Sequence, residues 1–270
     1  MSTSILLEVS WVYEVLSSLG DITISQHHKR SILNRVGIIV ALPAEARCLY
    51  SKKLKIGTPV EIQKDIFLCL SGIGYESALS AAKKLTVLRV DALISWGVAG
   101  AIDKSLSSGD IILANSIINE DKNYSTTRDW LSRVSDHLQS IFSISNGDIV
   151  SSKEICASPT DKLHLFQKTN AIAVDMESAA IAETASANNL DLLLIRTISD
   201  DTDTAIPEAV LKYTNNLGQP RILNFMLCCI SNPNQIRNIF ALKNGYKKAL
   251  ASLSEIAQVL NDRQFLYFDS

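Results

Sequence analysis

The chain of 270 residues has no excess of charge of either sign: 26 Lys and Arg stand against 28 Asp and Glu, a formal charge of −2. With its cations spread along the sequence, it lacks the electrostatic footprint of a nucleic-acid partner. Cysteine is scarce, five residues (Cys48, Cys69, Cys156, Cys228, Cys229) with no Cys-x-x-Cys pair. That usage is expected of reduced thiols in a cytoplasmic protein. The four histidines (His27, His28, His137, His164) show no metal-ligand spacing, so no metal is expected. Long apolar runs are missing as well: none approaches the roughly 20 residues of a bilayer span, so no stable membrane insertion is expected. The N-terminus has no basic leading region, and Glu8 and Glu14 break its apolar stretch, unlike a secretory signal.

What is present is a large apolar fraction, 47%, enough for a sizeable core. Residues 1–35 read as an appendage: Ile5, Leu6, Val9, Val12, Tyr13 and Leu16 follow helical spacing up to Gly20, and His27-His28-Lys29-Arg30 reads as a linker. The domain proper, 36–270, opens on a buried strand, Val36 to Leu42, with Pro43 placed to start a helix that carries Glu45. Val60–Gln63 and Ile66–Leu70 flank Lys64-Asp65 as a hairpin. Ser71-Gly72-Ile73-Gly74 then leads into a helix reaching about Leu88, where glycines let backbone amides approach a ligand. Asp91 to Trp96 reads as a strand and Gly97-Val98-Ala99-Gly100-Ala101 as a glycine turn against a substrate. The mixed segment 119–146, with Trp130, Leu131, Val134 and Leu138 at helical spacing, is a place for specificity contacts or a lid. From about 208 the chain is helical: Ile222 to Ile230 is apolar all round, and 233–260 reads as helix pairs whose Arg237, Lys243, Lys247 and Lys248 face solvent.

The most informative stretch runs from Ala171 to Pro207. A short apolar run, Ala171 to Val174, precedes Asp175-Met176-Glu177-Ser178 and an alanine-rich helix stopped at Asn188-Asn189. A second buried strand, Leu192 to Ile198, ends in Ser199-Asp200-Asp201. Strand, helix, strand within about 30 residues predicts a βαβ unit with parallel strands, whose carboxyl ends collect ligands. Those ends carry Glu177 and Asp200. Taken singly, Glu177 is also an ordinary first-turn acid and Asp200 an ordinary cap.

The strings Val-Asp-Met-Glu-Ser (174–178) and Arg-Thr-Ile-Ser-Asp-Asp (196–201), with Gly37–Glu45, Ser71–Gly74 and Gly97–Gly100 before them, resemble the purine nucleoside phosphorylase and methylthioadenosine–adenosylhomocysteine nucleosidase superfamily. The resemblance covers Val36 to about Pro207 and is nearest to the hopanoid-associated phosphorylases. It implies a single three-layer α/β domain with a mixed, mostly parallel sheet flanked by helices. It also implies cleavage of the N-glycosidic bond of a purine nucleoside. Position by position, Asp200 matches the residue that hydrogen-bonds or protonates N7 of the leaving base. Glu177 matches the carboxylate on the ribose hydroxyls, Met176 the residue under the sugar, and Ser71 and Glu45 residues on the nucleophile side. Gly72, Gly97, Ile155 and Ser199 are the further substrate contacts it implies, Ile155 against the base.

Chemistry agrees with those roles. The transition state has an oxocarbenium-like sugar and a purine that leaves poorly as an anion, so a proton donor helps. For Asp200 to donate near neutrality, burial or the neighbouring Asp201 and Asp203 must favour its protonated form. The nucleophile is water or inorganic phosphate. Hexameric phosphorylases hold phosphate with an arginine before the glycine turn and a serine within it, where this chain has Ser95 and Val98; Arg47 and Arg196 remain as anion ligands. Beyond phosphate as a co-substrate no cofactor is implied. The partner is a small nucleoside, a 5′-substituted adenosine or a lipid-linked one such as adenosylhopane, with Ile222–Ile230 as a tail contact. Family members are usually homo-oligomers. Two other classes stay open: a non-catalytic nucleoside binder, and a dinucleotide-dependent oxidoreductase resting on Gly72-Ile73-Gly74, which lacks the closing small residue at Ser77.

Overall fold

The computed structural model describes residues 35–120, 122–207, 210 and 235–260, all within one compact unit, Leu33–Ser270. The extension expected over 1–35, apart from Arg35, and the apolar Ile222–Ile230 segment lie outside the described residues. Among the described residues nine strands and six helices follow in the order β1 (Val36–Val40), α1 (Pro43–Leu49), β2 (Val60–Gln63), β3 (Ile66–Leu70), α2 (Tyr75–Val87), β4 (Ala92–Ala101), β5 (Ile111–Asn119), β6 (Lys122–Ser125), α3 (Arg128–Gln139), β7 (Ile144–Ser151), α4 (Pro159–Thr169), β8 (Ala173–Asp175), α5 (Ser178–Ala187), β9 (Asp191–Asp200) and α6 (Gln235–Val259). Among the described residues no helix is long and apolar enough to cross a membrane.

Continuous apolar runs such as Val36–Val40 and Ile66–Leu70 are buried on both faces, the pattern of strands covered by helices on either side. Successive side chains point to opposite faces. Thus Val36, Ile38 and Val40 meet Trp130, Leu253 and Ile256 on the α3 and α6 side, while Ile39 meets Ala78, Leu85 and Ala180 on the α2 and α5 side. This gives three layers, helix, sheet, helix. The alanines of α5 keep it thin enough to lie close to α2.

All nine strands belong to one mixed sheet with more parallel than antiparallel ladders. One half, β2-β3-β1-β4, is open. The other closes on itself: β4 pairs with β9, β9 with β5, β5 with β7, β7 with β8, and β8 again with β4. Strand β4 is shared by both halves, and its pairing explains where a site forms. Along one edge β9 accompanies β4 from Ala92 to Gly100. Along the other, β1 covers Ala92 to Ser95 and β8 covers only Gly100 and Ala101. Between them, from Trp96 to Ala99, neither strand pairs with that edge. Strand β1 runs parallel to β4 and β8 antiparallel, so their carboxyl ends point at this gap from opposite sides.

Several sequence expectations change here. The 171–200 unit is not a parallel βαβ crossover. Its first strand, β8, is parallel to β7 but antiparallel to β4, which β9 joins in parallel. With only three residues, β8 takes its direction from the neighbour it enters beside. The glycine run 97–101 is not a turn but the last half of β4, because β9 supplies ladder partners throughout. The 119–146 segment is no lid: β6 pairs with β5, and Trp130, Val134 and Leu138 are core residues. Residues 235–259 form one long helix rather than pairs, with Arg237, Lys243, Lys247 and Lys248 exposed on it as expected.

Candidate active site

The gap along β4 opens into a cleft of about 170 Å³, and Glu45, Glu177 and Asp200 all line it. Glu45 arrives from β1. Pro43 starts α1, and Glu45, on its first turn, reaches back to accept from the Leu42 and Ala41 amides at 2.8 and 3.1 Å. Its other oxygen accepts from the Val98 amide at 3.0 Å, on the stretch of β4 left open. Gly97 allows that approach: a Cβ there would stand 2.7 Å from Glu45 Oε1. Glu45 is 2% exposed. Burial pushes its carboxyl above the usual range, against the opposing pull of those three amides and the Arg196 guanidinium.

Glu177 arrives from β8. It accepts a 2.6 Å bond from the Gly74 amide, in the loop before α2. Burial first, and the nearby Asp175 carboxylate second, push its carboxyl up to about 7. Asp175 fixes this turn. Its Oδ1 accepts from Ser178 Oγ at 2.7 Å and from the Ser178 and Glu177 amides, and its Oδ2 accepts from Arg196 Nη2 at 2.7 Å and Nε at 3.0 Å. Arg196 Nη2 also donates to Ser95 Oγ at 2.7 Å.

Asp200 comes over the opposite edge of β4. A bulge between Ile198 and Asp200 shifts the register by one residue, the usual device for re-aiming a side chain. Gly100 leaves room for it, since a Cβ there would lie 3.0 Å from Asp200 Oδ2. Ser199 Oγ donates to Asp200 Oδ1 at 2.6 Å, and Lys162 Nζ of α4 donates to Oδ2 at 2.6 Å. The nearest charge on Asp200 is therefore a cation. Asp201, expected from the sequence as a neighbouring negative charge, turns away to accept from Ser108 Oγ and its amide.

Of the remaining residues singled out from the sequence, Met176, Ile155 and Ser199 line the cleft, with Ile155 44% exposed at its mouth. Ser71 and Gly72 stand behind the wall, where Ile73 is the lining residue. The Ser71 hydroxyl is turned to the carbonyls of Val40 and Gly72. Neither arginine is placed to hold phosphate in the cleft. Arg196 is 3% exposed and committed to Asp175 and Ser95. Arg47, two residues and so about 200° around α1 from Glu45, is exposed and lines a separate groove with Lys52 and Lys53. The dinucleotide reading loses its anchor as well, because the Gly74 amide that would meet a pyrophosphate is held by Glu177. Behind the cleft lies a hollow of about 10 Å³, bordered by Glu45, Ser95, Gly97, Val98, Glu177 and Arg196. That is room for about one water molecule.

Sequence reasoning missed two members of this cluster, Lys162 and Asp175. Lys162 had a signal: it lies three and four residues before Leu165 and Phe166, which pack on the apolar cluster around Val150 and Val174, so it shares their inward face.

The model of the phosphorylase superfamily matches residues 35–221; with its open and closed half-sheets and this cleft, the chain belongs to that superfamily. Among individual relatives, it is 24% identical to a 5′-methylthioadenosine/S-adenosylhomocysteine nucleosidase of Staphylococcus aureus over 195 residues, 61% of this chain and 86% of the relative. Its fold is that of two solved structures. The futalosine hydrolase of Helicobacter pylori matches with a TM-score of 0.64 at 16% identity, over 84% of this chain and 97% of that one. A 5′-methylthioadenosine/S-adenosylhomocysteine nucleosidase of Neisseria meningitidis, in complex with methylthio-immucillin-A, matches with a TM-score of 0.64 at 20% identity, over 84% and 99%.

Proposed function

We propose that this protein hydrolyses the N-glycosidic bond of a purine nucleoside, releasing adenine from a 5′-substituted adenosine without a cofactor. The observation that carries the reading is the meeting of Glu45, Glu177 and Asp200, from three strand ends, in one cleft, with a one-water hollow behind two of them. Glu45 borders that hollow, and burial holds its carboxyl above the usual range, which makes it a better proton acceptor from water than an exposed carboxylate. Glu177, ionised, accepts from the ribose hydroxyls and sets negative charge beside a sugar ring that is becoming cationic. Met176 lies under the ring. Asp200, paired with Lys162, holds N7 and relays to it a solvent proton that lets the base leave as a neutral purine, with Ile155 and Ile206 as apolar walls for the base.

Water is favoured over phosphate on size and charge. A phosphate has five heavy atoms and a negative charge. The hollow holds about one oxygen and is bordered by two carboxylates, while its one cation is already bonded to Asp175. The test is adenine release from 5′-methylthioadenosine and adenosine, with and without inorganic phosphate. We expect free ribose sugar as the product and a rate indifferent to phosphate. Formation of a ribose 1-phosphate would overturn the hydrolytic half of the proposal. Asp200→Asn should lower turnover by about 10²–10⁴-fold while nucleoside binding survives; an unchanged turnover would remove Asp200 from the mechanism.

A further inference from the structure

Lys162 is 1% exposed, in a helix otherwise edged with solvated residues. A lysine is almost never buried to that degree unless its charge is matched. Here its ammonium donates three bonds, to Asp200 Oδ2 at 2.6 Å, to the Asp201 carbonyl at 2.6 Å and to the Thr204 carbonyl at 3.2 Å. Every proton it carries is used, and every acceptor belongs to the carboxyl end of β9 or the loop after it. Helix α4 is itself well anchored for the purpose. Ser158 caps its first turn by accepting from the Asp161 amide, and the Ile206 amide returns to the Ala157 carbonyl, closing the loop over the helix start. Buried ion pairs of this kind are poor stabilisers, since an apolar pair of similar volume does as well or better. Stability alone therefore does not account for a lysine here.

The geometry points to Lys162 as the positioning residue of the group that delivers the leaving-group proton: it fixes the Asp200 carboxyl by one oxygen at the carboxyl end of β9. This rests on the hydrolytic reading above. As the C1′–N9 bond breaks, its electron pair passes to the purine, and a proton taken up from solvent is relayed by Asp200 to N7. Asp200 begins and ends the step in its ion pair with Lys162 instead of as a lone charge in an enclosed site, where an unpaired carboxylate is costly. Held through Oδ2 by Lys162 and through Oδ1 by Ser199, with Gly100 beneath it, the carboxyl has no rotational freedom to lose when the base arrives. Lys162 thus acts on departure of the base and has no part in activating water, which takes place at Glu45 on the other side of β4.

That division gives the test. Adenine needs protonation to leave, whereas 4-nitrophenolate leaves readily as an anion. The kcat of Lys162→Gln is measured on 5′-methylthioadenosine and on 4-nitrophenyl β-D-ribofuranoside, beside the unmodified protein. The expected result is a fall of about 30-fold or more on the purine substrate, part of what a positioned acid contributes. The fall on the nitrophenyl riboside should be at least about tenfold smaller, with KM for the nucleoside little changed. Lys162→Arg, which keeps the cation, should recover part of the purine rate. Equal losses on both substrates would reduce Lys162 to a structural role and overturn the assignment, as would no loss on the purine. If Lys162→Gln does not accumulate as folded protein, the same ratio is read on Lys162→Arg, with the purine substrate again the more slowed. An unmodified protein that releases no adenine overturns the glycosyl-cleavage reading and this assignment together.

Discussion

Of the cleft carboxylates, Glu45 and Glu177 are held above their ordinary range by burial, and Glu177 shows the cost most directly. Its carboxyl is pushed from 4.5 up to about 7, so the folded protein binds this proton more tightly than the unfolded chain does. The corresponding stability is complete below about pH 4.5 and is lost as pH rises through about 7; at 1.36 kcal/mol per unit that is about 3 kcal/mol. Glu177→Gln removes the penalty of ionisation and can still accept from the Gly74 amide. The melting temperature of the variant relative to the parent should therefore climb between about pH 5 and about pH 8, while adenine release collapses. A difference in melting temperature that stays flat with pH would contradict this account of Glu177. At this scale the sequence was legible where a string carried the information. Glu45, Glu177 and Asp200 could be named from their neighbours, and the structure brings them to one cleft. Lys162 could not be read in that way. A lysine in a polar helix has a solvated surface as its default, and only its register with Leu165 and Phe166 argued otherwise.

At the scale of elements, hydrophobic runs located nearly every strand, because both faces of this sheet are covered and burial leaves a continuous apolar signature. Direction was another matter. The three residues of β8 carry no information on polarity; that is set by β7 alongside and by the chain arriving from α4. Packing between elements was equally hidden in the sequence, and Gly245 of α6 is the clearest case. A Cβ at this position would overlap the Ser199 carbonyl oxygen and stand 2.7 Å from Ser108 Oγ. Helix α6 therefore lies directly on the residue before Asp200, at the bulge that aims it. On an exposed helix Gly→Ala gains about 1 kcal/mol from propensity. Here overpacking against backbone costs about 1–3 kcal/mol or more, so Gly245→Ala should lower the melting temperature rather than raise it. Because the displaced atom is the Ser199 carbonyl, kcat should fall as well. Thermal unfolding and adenine release on the same preparation check both; a variant more stable than the parent would show that α6 does not press on β9.

Across the whole molecule, the site follows from a mismatch in strand length. Strand β4 has ten residues, β1 five and β8 three. Two short strands approaching from opposite sides cannot cover one long edge, and the uncovered stretch receives what their carboxyl ends deliver. The result is an uneven charge balance. Glu45, Glu154, Glu177, Asp175 and Asp200 line the cleft, against Arg196 at the hollow behind it and Lys162 behind Asp200, and each of these cations is already bonded to an aspartate. With Asp175 and Asp200 paired and Glu154 exposed to solvent, Glu45 and Glu177 carry the buried unbalanced charge, at the end of the cleft proposed above for the sugar. At about 4 Å and an effective dielectric of about 20, one such charge is worth about 4 kcal/mol to a cation before desolvation is subtracted. A ground-state nucleoside is neutral and gains little from this, whereas a sugar ring turning cationic gains most of it, which is the differential binding that catalysis requires. An adenosine analogue whose sugar is a protonated pyrrolidine should then bind about 100-fold or more tightly than its neutral carbocyclic counterpart, a difference of about 2.7 kcal/mol. The preference has a sign in pH. Below about 7 Glu177 is protonated and offers no charge, so the advantage of the amine should widen from about pH 6 to about pH 8, for an amine that stays protonated over that range. Calorimetric titration of both analogues at several pH values measures it. Equal affinities, or an advantage that shrinks as Glu177 ionises, would mean that the field of the cleft is not directed at the sugar.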